Sequence, residues 1–67
     1  MTPRKSAGQI FKEARIKTGL TQAELGRKAR VYPNTIAKLE RDEQKPAFST
    51  VKKLARALDL NVSDIPD

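Results

Sequence analysis

The chain has 67 residues with no cysteine and no histidine, which removes disulfides, thiolate or imidazole metal sites, and the side chain that ordinarily titrates near neutral pH. Fourteen Lys and Arg against eight Asp and Glu give a formal net charge of +6 and a pI near 10.1, a balance suited to a polyanionic partner. A domain this small buries only ~60% of its unfolded surface, and no apolar run approaches the ~20 residues that span a bilayer, so the sequence argues against an enzyme, a cofactor site and a membrane protein.

Apolar residues recur at spacings of three and four, and nothing alternates at period two for long, so the chain reads as all-α. The first predicted helix runs from about Ser6 to Thr18, with Ala7, Phe11 and Ala14 on one stripe and Gly19 as its stop. The second begins at Gln22 behind a capping box, Thr21 with Glu24 three residues on, and reaches about Ala29. Ile36 and Leu39 then enter at a new phase, after a break around Arg30 to Tyr32. Pro33 at that break starts a third helix. At the first helical position its missing N–H costs nothing, and Tyr32 before it is biased toward the extended backbone a helix start requires.

A polar loop, "RDEQKPA", closes at Pro46 and leads to a fourth helix with Phe48, Val51, Leu54, Ala55 and Leu58 on one face. Asn61 and Asp64 repeat a cap signature, but Pro66 stops that segment after about one turn. The expected fold is a compact bundle of four to five short helices. Residues 1–5, "MTPRK", read as a flexible basic N-terminal arm and 6–67 as one domain; without an apolar signal stretch, the expected location is the cytoplasm.

The stretch from Gln22 to Arg41 fits two helices packed across each other. Gly26 is the small residue at the crossing, and Leu25, Ala29, Val31, Ile36 and Leu39 supply the sealing core. That is the pattern of a helix-turn-helix (motif 22–41), whose second helix projects far enough to enter a DNA major groove. With "GLTQAEL" (19–25), "IAKLERD" (36–42) and "PAFSTVKKLARALDLNVSDI" (46–65), the sequence resembles the Cro and phage-repressor type of helix-turn-helix, the bacterial group also called XRE-like.

The resemblance implies a lambda-repressor-like DNA-binding domain. It also implies a sequence-specific transcriptional regulator of bacterial or phage type, a repressor or autoregulator, bound to double-stranded DNA as a homodimer on a palindromic operator. Matched residue by residue, base-reading positions fall on Pro33, Asn34, Thr35 and Lys38. Asn34 can pair with adenine N6 and N7, Lys38 can donate to guanine O6 and N7, and Pro33 offers only an apolar surface, suited to a thymine methyl.

Gln22, Arg41 and Lys45 match backbone-contacting positions, and Arg27, Arg30, Tyr32 and the arm residues Arg4 and Lys5 are further candidate backbone contacts. Arg15 and Glu40 match the place of a structural ion pair. Lys52, Lys53 and Arg56 read as solvated charges on the polar face of the fourth helix. Where the family often has glycine, this chain has Arg30, Asp42 and Asp59. The alternative function is an antitoxin or adaptor module that binds a protein partner, a toxin or another regulator.

Overall fold

Ser6 opens the first helix by accepting a hydrogen bond from the Gln9 N–H at 3.1 Å. The computed structural model describes residues 5–66. Among them the elements are α1 (Ala7–Lys17), α2 (Gln22–Ala29), α3 (Pro33–Glu40), α4 (Phe48–Ala57) and a 3-10 turn (Val62–Asp64), with no strand. The bundle of helices expected from the periodicity is the fold. Of the N-terminal arm, residues 1–4, including Arg4, lie outside the described residues.

At the start of α2 the capping box forms in both directions. Thr21 Oγ1 accepts from the Glu24 N–H at 3.0 Å, and Glu24 Oε1 accepts from the Thr21 N–H at 2.8 Å. These bonds, the backbone one foremost, hold the Glu24 carboxyl below its ordinary range. Because the folded-state value is depressed, the contribution of this cap is present above the ordinary glutamate range and is lost as pH falls through the lowered value.

All four helices end the same way. Gly19, Arg30, Asp42 and Asp59 take left-handed φ values of 77°, 59°, 59° and 58°. The next N–H then turns back to a carbonyl five residues earlier: Leu20 to Arg15, Val31 to Gly26, Glu43 to Lys38 and Leu60 to Ala55, at 3.1, 3.0, 2.9 and 2.7 Å. This is the Schellman closure, which satisfies the terminal carbonyls of a helix. It needs the left-handed residue whether or not glycine supplies it, so Arg30 and the two aspartates each carry a steric cost of about 1 kcal/mol or more.

α1 packs on α3, α2 on both α3 and α4, and the 3-10 turn on α4. The fully buried side chains Phe11, Leu25, Ile36, Leu39 and Leu54 come from all four helices, and Ala29, Val51, Ala55, Leu58 and Ile65 complete the core. Phe48 departs from the expected face: it is 69% exposed at the first position of α4, with Lys52 Nζ 5.4 Å from its ring centre. Val31 is only partly buried. Ile65, which the periodicity did not place in the core, folds back into it. The Asn61 cap does not form either, since the 3-10 turn has no side-chain cap bond.

Gly8 is buried on α1, and a Cβ there would overlap the Leu39 carbonyl oxygen of α3. The obstacle is backbone, so no rotamer change relieves it. Gly8→Ala is therefore expected to cost about 1–3 kcal/mol by overpacking, a loss of at least about 4 °C in melting temperature. A thermal melt followed by circular dichroism checks this; an unchanged midpoint would show that α1 can lift off α3 freely.

Candidate nucleic-acid interface

α3 begins without a side-chain cap. Tyr32 precedes it with extended backbone (φ −63°, ψ 137°), and Pro33 holds the first helical position. The close seat of this start on α2 depends on Gly26, where a Cβ would lie 2.6 Å from the Val31 carbonyl oxygen and 3.3 Å from Pro33 Cγ. Burying Ile36 and Leu39 on one side fixes which side of α3 faces out. Pro33, Asn34 and Lys38 are exposed and Thr35 is half-buried. Asn34 and Lys38 are four apart and so share a face.

The other end of α3 is held by a buried ion pair. Arg15 Nε donates to Glu40 Oε2 at 2.7 Å and Arg15 Nη2 to Glu40 Oε1 at 3.0 Å, with side-chain exposures of 12% and 3%. Arg15 Nη1 also donates to the Leu20 carbonyl at 2.8 Å. Gln22 Nε2 donates to Glu40 Oε1 at 3.0 Å, which the spacing of the two residues did not reveal. One carboxylate at the end of α3 thus takes bonds from α1 and from the first residue of α2. Its hydrogen bonds raise the Arg15 pKa above the ordinary arginine value, against the cost of desolvation.

The flanking cations divide by partner. Arg27, Arg30 and Lys45 are exposed and in no ion pair among the described residues. Arg41 pairs with Glu43, Nε to Oε2 at 2.9 Å, and Lys5 pairs with Glu13 at 2.6 Å; both are exposed surface pairs, which a phosphate can displace. The Lys5 ammonium holds the Glu13 carboxyl below its ordinary range. Tyr32 is 81% exposed and lines a shallow groove with Ala23, Gly26, Arg27, Arg30, Val31 and Pro33. The structure therefore brings Arg27, Arg30, Tyr32 and Pro33 together around the junction of α2 and α3, with Asn34 and Lys38 along α3, Gln22 and Arg41 beside its last residue, Glu40, and Lys45 in the following loop. No group of acidic residues among the described residues could hold a metal ion, and no helix is long and apolar enough to cross a membrane.

The described geometry has close parallels. A helix-turn-helix family model matches residues 11–65. The immunity repressor protein of Bacillus phage phi105 is 38% identical over 60 residues, covering 90% of this chain but only 42% of that repressor. The N-terminal DNA-binding domain of SinR from Bacillus subtilis superposes with a TM-score of 0.85 at 31% identity, over 91% of this chain and 90% of that one. The P22 c2 repressor, solved with a synthetic operator, superposes with a TM-score of 0.83 at 27% identity, over 90% and 91%.

Removing Glu40 would strand the buried Arg15 charge. Glu40→Ala should lose about 3–5 kcal/mol, well over 10 °C in melting temperature, whereas the double variant Arg15→Met/Glu40→Leu should regain most of it. Thermal melts of the two proteins check this; a fall of only a degree or so in Glu40→Ala would mean the pair contributes as a surface bridge does.

Proposed function

The chain belongs to the helix-turn-helix family of the Cro and phage-repressor type, and on that footing we propose that it is a sequence-specific transcriptional regulator, a repressor or autoregulator. In this reading it binds a palindromic operator as a two-fold dimer, with α3 in the major groove. The relatives it matches are repressors and regulators of transcription, not enzymes. The observation that carries the reading is the outward face of α3. Pro33, Asn34 and Lys38 stand exposed on a helix fixed at both ends, and none is in a side-chain hydrogen bond or ion pair among the described residues. Polar groups held without internal partners on a rigid element are suited to reading base edges.

Affinity comes from phosphates, and specificity from few side chains. Gln22, Arg27, Arg30, Arg41 and Lys45, with the Tyr32 phenol and the arm residues Arg4 and Lys5, are the backbone contacts in this proposal. Six cations on phosphate would give a slope of log K against log salt of roughly −5. The Gln22 amide, with one N–H on Glu40, keeps its second N–H for a phosphate oxygen. Two-fold pairing is supported by a shallow apolar groove lined by Pro46, Phe48, Val51, Val62, Ile65 and Pro66, next to Lys45. Paired reading helices would then address half-sites about 34 Å apart.

Asn34→Ala should still bind DNA but lose about 1–3 kcal/mol of discrimination at one A·T position per half-site. An in-vitro selection of bound duplexes, run for both proteins at two salt concentrations, checks this. Identical recovered sites would remove Asn34 from the reading set, and a salt slope near zero would remove the phosphate contacts.

A further inference from the structure

On the far side of α2 from its capped start, a second groove of about 600 Å³ runs between the end of α2 and the length of α4. Its cations are Lys28, Arg30, Lys52, Lys53 and Arg56, and no carboxylate lines it. None of the five is in an ion pair among the described residues. The DNA-reading role does not use Lys52, Lys53 or Arg56, yet burial of Val51, Leu54, Ala55 and Leu58 fixes them on the opposite face of α4. Between the cations the lining is small: Ala29, Ser49 and Ala57.

We propose that this groove docks an acidic helical segment of a partner protein, on a surface that shares only Arg30 with the proposed DNA-backbone contacts. Charge complementarity sets the sign, since five unpaired cations with no carboxylate are a poor surface for anything but an anion. The small residues Ala29, Ser49 and Ala57 between the cations let another helix approach closely. From Ser49 to Ala57 the wall is ~12 Å long, about two helical turns, so carboxylates one turn apart would meet successive cations.

Arg30 adds an independent observation. It stands at the mouth of the groove in a left-handed conformation (φ 59°), where glycine would be less strained. Asp42 and Asp59 carry the same strain at their helix ends, but Arg30 alone of the three brings a long cation to a groove.

The test uses the full chain, isotope-labelled, with a short alanine-based helical peptide carrying glutamate at every fourth position, and its glutamine counterpart. The glutamate peptide should shift amide resonances of Lys28–Arg30 and Ser49–Ala57. Lys53→Glu/Arg56→Glu, both exposed and away from the reading helix, should weaken it about tenfold or more while leaving affinity for the selected duplex within about twofold. Arg30→Gly should weaken the peptide severalfold without lowering the melting temperature. Equal binding of the glutamine peptide, shifts centred on Asn34–Lys38, or no shifts at all would overturn the proposal. So would a large loss of duplex affinity in the double variant, which would make the groove a second phosphate site. Concentration-dependent shifts of the free protein that vanish in the double variant would make it a contact between copies and equally overturn it.

Discussion

The orientation of α3 depends on one carboxylate. Glu40 lies at its last position with 3% of its side chain exposed and takes three hydrogen bonds, two from Arg15 of α1 and one from Gln22 of α2. A buried charge is costly unless paired and hydrogen-bonded, so the arrangement is tolerated only when both partners are in register. That makes it a constraint on geometry more than a source of net stability. A shifted helix would leave Arg15 or Glu40 charged and unpaired, and the loss would exceed that of a slipped leucine. The same carboxylate holds Gln22 at the start of α2, so the group proposed to grip phosphate and the helix proposed to read bases are positioned by one residue.

Two glycines set the distances that this carboxylate then locks. At Gly8 and Gly26 the nearest obstacles to a Cβ are backbone carbonyl oxygens, of Leu39 and Val31. α3 is therefore approached closely near its end by α1, while its entry turn is pressed onto α2. With Phe11, Leu25 and Leu54 closing from the other three helices, only one side of α3 is left for solvent. In so small a bundle, close backbone approach substitutes for the larger core that more residues would provide.

Much of this was legible in the sequence because the relevant signals are local. The capping box at Thr21 and Glu24, the start of α3 at Pro33, and the Gly19 stop after α1 each depend on a few adjacent residues whose backbone chemistry is specific. The four helices and most of the core followed from periodicity for the same reason. What escaped depends on distant segments. Gly8 looks like any helical glycine until Leu39 is brought across it, and the bond from Gln22 to Glu40 joins residues 18 apart. Phe48 has the right phase for the core, but phase says nothing about whether another element reaches the first turn of a helix. Ile65 has no helical phase at all, and is buried because the chain folds back over α4.

The placement of charge on α2 shows how one short helix can serve two surfaces. Its first residue, Gln22, is tied to the end of α3 through Glu40, while Lys28 and Arg30 at its other end line the second cationic groove beside α4. Helix dipoles reinforce the difference. The start of α2 carries partial positive charge and suits phosphate without needing a cation there, whereas its end carries partial negative charge that the side chains of Arg27, Lys28 and Arg30 offset. Cations at the end of α2 are thus favourable for the helix itself, and the same residues are available to an anionic partner. The left-handed Arg30 does not follow from that economy, because the last turn already has two cations and a glycine would close the helix with less strain. The third cation stands at the place where the two grooves meet.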